Sequence, residues 1–317
     1  MSSQYRVVIA NRIEEFHARK SRFINYCYQL DKGPFTGKTE VLYDSALTLT
    51  RRSVDCTILE RGKMPNSLRA FTFHSNSNQY VRNGITFQAG DVSASSTGNT
   101  FITMLRRGCQ YCSLVVNDSF AKKLLSENEW HSYQKIMAED KSISIKQSAE
   151  FPFIVEFLNK AMDALANGTL LADADRDIRA IQQELLRGLV LLIDSAQIES
   201  MRANSNHRLF NKATKIVMDT RVKPLAVEEL AKRVGTSRRN LEHIFQLLIG
   251  ITPKQFIQNV RLNRIHEDLL AERNLSVLGV AKRYGINHMG HFSTMYKALF
   301  KELPSETRAR AAAMELA

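Results

Sequence analysis

The sequence predicts an α+β protein with a β-rich amino-terminal part, helices in the middle and an all-helical carboxy-terminal domain. Three observations predict this class. Short β-like runs alternate with turns between residues 38 and 117. From about residue 120 the apolar residues recur at helical spacing. The last third contains an internal repeat, typical of duplicated units. With 317 residues and 44% hydrophobic content, the chain is long enough for two or three domains.

Seven β-like runs, separated by turn residues, make up the first region. Asn83-Gly84 and Ala89-Gly90-Asp91 are typical turn signals. Regular short strands with such turns predict an antiparallel barrel or sandwich. The runs cover residues 39–42, 47–52, 56–60, 68–73, 80–87, 101–106 and 111–116.

Two helices are clearest in the middle region, at residues 154–165 and 178–193. The second carries an apolar stripe that packs either on the β-rich part or on a second subunit. A polar run at residues 202–206 indicates a linker. The predicted domains are therefore residues 1–200 (β-rich 38–117, helical 120–200), a linker at 201–208, and residues 209–317. The stripe consists of Ile178, Ile181, Leu185, Leu189 and Leu192.

The internal repeat aligns residues 225–235 (LAVEELAKRVG) with residues 275–285 (LSVLGVAKRYG), six of eleven positions being identical. In the first copy a helix ends near Val234, Gly235 makes the turn, and Ser237 caps the next helix. The second copy has one more residue in its turn and Asn287 as the predicted cap. Each copy therefore predicts a helix-turn-helix unit, whose second helix enters the DNA major groove.

Positive charge is concentrated on this repeat. Residues 207–317 hold 19 Lys and Arg against 10 Asp and Glu, a net charge of +9 out of +12 for the whole chain. A basic domain binds DNA phosphates by releasing counterions. The charge therefore predicts a nucleic-acid partner for this part of the chain, although a basic face is by itself ordinary solvated surface.

These motifs resemble the AraC/XylS family of bacterial transcription regulators, in order and spacing, over about residues 209 to 310. Lys301-Glu302-Leu303-Pro304 departs from the family's Gly-x-Thr-Pro. The matching residues are Ser237, 241–245, 250–253, 261–262 and 269–270 in the first unit and linking helix, then 284–286, 291–293, 296–297, Phe300 and 304–305 in the second.

The resemblance implies a cupin-like antiparallel β barrel in the amino-terminal domain that binds a small effector, with residues 84–91 similar to the signature turn of that barrel. Residues 35–37 and the strand after them resemble the ethanolamine-operon type of this family. The sequence does not indicate which residues would bind the effector.

Helix geometry selects the residues that read DNA. Opposite the apolar stripe of the first recognition helix lie Arg239, Glu242 and His243, adjacent at i, i+3 and i+4. Arg239 is suited to guanine and Glu242 to cytosine. The corresponding set in the second helix depends on the thymine methyl group and DNA shape. That second set is Met289, Gly290, His291 and Thr294. The predicted phosphate contacts are Ser237, Arg238, Lys254 and Lys297.

No catalytic constellation is present in the sequence. Cys109 and Cys112 form a C-x-x-C, but it lies in a β-like run, where residues three apart point to opposite faces. Neither a metal site nor a cofactor is predicted, and the chain is not predicted to be an enzyme.

The amino terminus has no signal pattern, and no apolar run reaches the roughly 18 residues that span a bilayer. We therefore expect a cytoplasmic, nucleoid-associated protein.

The motifs and the resemblance together predict a sequence-specific transcription regulator, and the resemblance implies that it is an effector-responsive activator. The resemblance implies as its partners double-stranded promoter DNA, RNA polymerase, a small-molecule effector and a second copy of the chain. Two alternatives remain open. A cupin-type small-molecule-binding or metabolic protein with an accessory nucleic-acid domain predicts a metal cluster in residues 38–117, where His74 is the one histidine. An architectural protein would bind DNA through charge alone.

Overall fold

The computed structural model describes most of the chain, in both its β-rich and its helical parts. Its ranges are residues 4–18, 24–75, 80–95, 98, 100–135, 143–146, 149–170, 175–195, 197–200, 205–220, 225–272 and 274–313. The strands are β1 (Gln4–Ala10), β2 (Ile24–Gln29), β3 (Gly37–Tyr43), β4 (Leu47–Val54), β5 (Ile58–Lys63), β6 (Leu68–His74), β7 (Tyr80–Arg82), β8 (Ile85–Phe87), β9 (Val92–Ser95), β10 (Thr100–Leu105), β11 (Cys109–Asn117), β12 (Ile143–Lys146) and β13 (Gln197–Ser200).

The helices follow the same chain order. They are α1 (Ile13–Ala18), α2 (Asp118–Leu124), α3 (Glu127–Lys135), α4 (Phe151–Ala166), α5 (Asp175–Ser195), α6 (Ser205–Asp219), α7 (Val227–Val234), α8 (Arg238–Ile249), α9 (Pro253–Ala271), α10 (Val277–Arg283), α11 (Met289–Phe300) and α12 (Pro304–Ala313). The predicted α+β composition is confirmed.

The strands form two antiparallel sheets. The large sheet has the order β1-β3-β4-β11-β6-β9-β12-β13, and the small sheet has the order β2-β5-β10-β7-β8. The two are not closed into a barrel, so the predicted closed barrel is wrong. One physical reason is visible at β2, an edge of the small sheet. The backbone N–H of Gln29 there donates to the Asn263 side chain of α9 at 2.8 Å. A helix residue thus satisfies a backbone group that would bind a neighbouring strand in a closed barrel.

Each sheet packs one face against helices. The apolar face of the large sheet, with Leu49, Phe71 and Leu114, packs against α4 and α5. The α5 stripe lies in this core, so it packs within the chain. The small sheet places Tyr28 and Val81 in one cluster with residues of α6, α7, α8 and α9. The helical carboxy-terminal part therefore shares a core with the small sheet.

All seven predicted β-like runs coincide with strands, and residues 80–87 divide into β7 and β8 at the Asn83-Gly84 turn. Both predicted middle helices are confirmed as α4 and α5. The strands β1 and β2 precede the predicted β region, which begins too late at residue 38. Residues 205–208 of the predicted linker belong to α6, while its residues 201–204 lie outside the described ranges.

Candidate nucleic-acid interface

The first repeat copy forms two helices joined by a tight turn. Helix α7 ends at Gly235, whose φ of 87° is the left-handed conformation that favours glycine. Ser237 then begins α8, and its hydroxyl accepts a hydrogen bond from the Asn240 amide at 3.1 Å. The predicted turn and cap are therefore confirmed. A Thr252–Gln255 capping box starts α9 in the same manner.

Helix α8 separates its apolar face from its polar face. Leu241, Ile244 and Phe245 are fully buried. Arg239 and His243 are exposed on the other side, and Glu242 is half-buried. The structure thus brings the three predicted base-contact residues of this helix onto one accessible face, one helical turn long.

Arg238 is held by two carboxylates. Its Nε donates to Glu242 at 2.8 Å, and its Nη1 pairs with Glu228 of α7. The pKa of Glu228 is lowered by a hydrogen bond from its own backbone amide and by the charge of Arg238, although desolvation opposes the change. Two of the predicted DNA contacts, Arg238 and Glu242, therefore pair with each other in the DNA-free protein, and Arg239 is the more available cation.

Sequence reasoning missed this pairing. Arg238 and Glu242 stand at i and i+4, a spacing at which opposite charges meet on a helix, so this ion pair can be predicted from the sequence. The Glu228 contact crosses the turn between α7 and α8 and has no comparable local signal.

The second repeat copy has the same order of elements. Ser276 caps α10 by accepting from the Gly279 amide, and Gly285 has a φ of 69° in the turn. Helix α11 begins at Met289 with His288 at its cap position and no side-chain cap bond. The predicted Asn287 cap is wrong, because the helix starts one residue later than that cap requires.

The polar face of α11 carries the second predicted base-contact set. Gly290, His291 and Thr294 are exposed and Met289 is half-buried. The Thr294 hydroxyl donates to the Gly290 carbonyl at 3.0 Å, so part of its hydrogen-bonding capacity serves the helix itself. On the opposite side Phe292, Tyr296 and Leu299 are buried against α9 and α10.

The predicted phosphate contacts lie near the starts and exposed sides of these helices. Lys254 is exposed in the first turn of α9, and Lys297 is exposed near the end of α11. Ser237 is exposed at the start of α8, where its hydroxyl serves the cap. The phosphate candidates therefore lie at the starts of α8 and α9 and near the end of α11.

A buried polar network anchors α9 between the two units. His266 of α9 contacts the Tyr296 hydroxyl at 2.6 Å and Glu14 of α1 at 3.0 Å. Arg310 of α12 also donates to Glu14 at 2.5 Å. Burial raises the pKa of Glu14, but hydrogen bonds from His266, its own backbone amide and Arg310 more than offset this and lower it to about 2. The second unit is thus tied to the amino terminus.

The cysteines of the C-x-x-C motif do not converge. Cys109 packs in the cluster between the sheets, whereas Cys112 packs on the opposite face of β11. Burial raises the pKa of Cys109 to about 12 and that of Cys112 to about 11.

Within the described ranges, no group of three or more His, Cys, Asp or Glu side chains is arranged to hold a metal ion. Nor does any helix in those ranges have the length and apolarity to cross a bilayer.

Two helix pairs with exposed polar faces, joined by one long helix, define a DNA-binding protein of the helix-turn-helix class. Comparison with known families supports this class. Residues 230–310 match the family model described as a helix-turn-helix domain.

Known regulators match the same part of the chain. The HTH-type transcriptional regulator CdhR of Pseudomonas aeruginosa is 38% identical over 86 residues, which is 27% of this chain and 25% of that protein. The XylDLEGF operon transcriptional activator of Pseudomonas putida is 29% identical over 125 residues, or 37% of this chain and 39% of the activator. The matches therefore span about a quarter to two-fifths of these transcription regulators.

Among solved structures, a transcriptional regulator with an AraC-type DNA-binding domain from Chromobacterium violaceum is 30% identical. The match covers 35% of this chain and 97% of that one, with a TM-score of 0.32. The carboxy-terminal part of this chain therefore carries a helix-turn-helix domain of the type found in AraC/XylS transcription regulators.

Proposed function

We propose that the whole protein is a one-component, sequence-specific regulator of transcription, acting as an activator on double-stranded promoter DNA. The observation that carries the proposal is the accessible face of α8. Arg239 and His243 are exposed there, while the neighbouring apolar residues fix the helix against the core. An exposed Arg on a recognition helix is the residue type that most often reads guanine.

The proposal assigns different roles to the two helices. Arg239, Glu242 and His243 of α8 read bases directly, whereas α11 presents Met289, Gly290, His291 and Thr294, which depend more on apolar contact and DNA shape. Ser237, Arg238, Lys254 and Lys297 contact phosphates. Since Arg238 and Glu242 pair with each other in the free protein, this bond must open or rearrange when either residue contacts DNA.

The effector acts through the arrangement of the two parts of the chain. The small sheet shares its core with α6 to α9, which include the recognition helix α8. A ligand that shifts this sheet therefore also shifts these helices. Such a ligand must bind two arrangements with unequal affinity, because otherwise it shifts nothing. Contact with RNA polymerase, formation of a homodimer and a cytoplasmic, nucleoid-associated location are further parts of the proposal, supported by the family.

Selection from random-sequence duplexes tests the proposal and does not require the operator to be identified beforehand. The purified full-length protein is incubated with the pool near physiological salt, and bound duplexes are sequenced after several rounds. We expect a motif with two elements about one helical turn, or roughly 10 bp, apart. A bound pool with no sequence enrichment would contradict sequence reading and indicate binding through charge alone.

A further inference from the structure

The inner faces of the two sheets are joined by polar and aromatic side chains. Arg52 of the large sheet donates to Glu60 of the small sheet at 2.7 Å. The ring of His74, also from the large sheet, stacks on Phe87 of the small sheet with centroids 4.8 Å apart. Tyr80 packs against His74 in the same layer. These contacts identify the sides of the sheets that face each other.

Strand register places two more polar residues of the small sheet in this layer. Arg82 is two residues after Tyr80 in β7, so the two side chains share a face. Thr103 of β10 stands directly opposite both Arg82 and Glu60. Arg82 and Thr103 therefore point into the space between the sheets.

Arg82 differs from Arg52 in having no acidic partner among the residues that the structure describes. Its residue is 6% exposed, and its guanidinium carbon lies 4.4 Å from the centre of the Phe101 ring. Its hydrogen bond to the Tyr80 hydroxyl is long, at 3.4 Å. Among the residues described, no carboxylate lies within ion-pair distance of Arg82. A buried guanidinium with five donors and no counter-ion is unfavourable, so an anion that pairs with it is stabilised there.

Three other polar atoms of this layer lack hydrogen-bond partners in the part of the chain that the structure describes. The buried atoms His74 Nδ1, Ser95 Oγ and Thr103 Oγ1 have no hydrogen-bond partner among the described residues. Ser95 is two residues after Ser93, whose hydroxyl contacts His74 Nε2 at 2.9 Å, so both serines face the inner layer. Burial and the charge of Arg82 lower the pKa of His74 to about 3, which keeps its ring neutral. Hydroxyls and a neutral imidazole complement an oxyanion without adding an opposing charge.

We propose that this layer is the effector site and that it binds a small organic carboxylate, whose oxygens pair with Arg82 and with the Thr103 and Ser95 hydroxyls. The proposal rests on the regulatory function proposed above and names its ligand class. One negative charge balances the one unpaired buried cation of the described layer, whereas a doubly charged phosphate would leave an excess charge there. Tyr80, Phe87 and Phe101 supply an aromatic surface for an apolar body on the ligand.

The position of Arg82 also connects this site to the DNA-binding part. The next residue, Asn83, accepts a hydrogen bond through its carbonyl from Asn211 of α6. Gly84 follows and lies so close to α6 that a Cβ there would be 2.9 Å from the His207 carbonyl oxygen. A ligand that moves Arg82 therefore acts one residue away from the contact with α6.

Thermal unfolding of the full-length protein with matched probes tests the site. Benzoate and acetate are compared with benzamide, acetamide and phenyl phosphate at constant ionic strength. We expect the carboxylates to raise the Tm in a saturable way and the amides to leave it unchanged, since a ligand that binds the folded state stabilises it. In Arg82→Met the carboxylate effect is lost and the Tm without ligand equals or exceeds that of the wild type.

Arg82→Lys keeps the charge without the planar fork and should retain a reduced carboxylate shift; it also serves if the methionine variant does not fold. The proposal is overturned if neither carboxylate exceeds its amide, if the shift persists in Arg82→Met, or if phenyl phosphate gives the larger shift. A folded Arg82→Met with a clearly lower Tm and no ligand effect in the wild type would assign Arg82 to packing on Phe101. A carboxylate response in protein that selects no DNA sequence would contradict the regulatory function and leave the site standing.

Discussion

Asn263 of α9 and Gln29 of β2 exchange two hydrogen bonds, each 2.8 Å long. The backbone N–H of Gln29 donates to Asn263 Oδ1, and Asn263 Nδ2 donates to the backbone carbonyl of Gln29. The side chain of a helix residue thus takes the place of a neighbouring strand at the edge of the small sheet. Because α9 also joins the two helix pairs, this contact fixes the small sheet to the helix that lies between them in the chain.

Replacing Asn263 with leucine should destabilise the protein strongly. The variant leaves the buried Gln29 amide and carbonyl without partners, at about 1–3 kcal/mol for each group. We expect the free energy of unfolding to fall by about 2–4 kcal/mol in denaturant titration. Asn287→Leu, in an exposed turn, is the matched control and should stay within about 0.5 kcal/mol. Equal effects of the two variants would show that the bond adds no stability.

Gly84→Ala should cost more stability than Gly90→Ala. Both glycines have positive φ, 77° and 89°, so both variants carry similar backbone strain. A Cβ at Gly84 meets His207 of α6, whereas nothing lies within 4 Å of one at Gly90. The extra steric cost at Gly84 is about 1–3 kcal/mol. Denaturant titration of both variants checks this, and indistinguishable losses would argue against close packing of the turn on α6.

His74 should make the protein less stable in mild acid. Burial and the charge of Arg82 lower its pKa in the folded state from 6.5 to about 3. Between these values the unfolded chain binds a proton that the folded protein does not, so stability falls as the pH drops, by up to about 1.4 kcal/mol per unit. His74→Phe should flatten the profile of unfolding free energy between about pH 6 and pH 4. His131→Phe, on the exposed side of α3, should retain the wild-type slope; a slope unchanged in His74→Phe refutes this prediction.

Lys254→Ala and Lys297→Ala should weaken DNA binding without changing sequence preference. A phosphate contact releases counterions, so each loss should lower the slope of log affinity against log salt by about one. Affinity for the selected site and for scrambled DNA should fall by the same factor. Fluorescence titrations across a salt series give both quantities. A loss confined to the selected site would instead assign that lysine to base reading.

Local signals explain which parts of the fold were predictable. Gly235 and Ser237 determine a turn and a cap through bonds that span three to five residues, so the first helix pair could be read directly. The strand β1 carries exposed apolar residues, Val7 at 42% and Ile9 at 72%, and did not show the usual burial alternation. Its partner is β3, far along the chain. The edge of β2 depends on Asn263, more than 230 positions away, and no local pattern encodes that contact.

The candidate DNA-contacting face of α8 could also be predicted from the sequence, because the apolar stripe of the helix determines which side is exposed. The pairing of Arg238 with Glu228 could not, since it crosses the turn between two helices. Arg82 gave no signal in the sequence, where an arginine in a strand is usually exposed. Its burial follows from how the two sheets face each other, and no acidic side chain in the described part of the chain pairs with it.

The central claim, base reading by α8, is tested most directly with Arg239→Ala. The measurement is the ratio of affinities for the selected site and its scrambled version, in the wild type and the variant. Arg187→Ala removes the same charge from the exposed side of α5 and is the control. We predict that Arg239→Ala loses about 1–3 kcal/mol of discrimination, mainly at one base position, and that Arg187→Ala loses none. Full discrimination retained by Arg239→Ala would contradict the account.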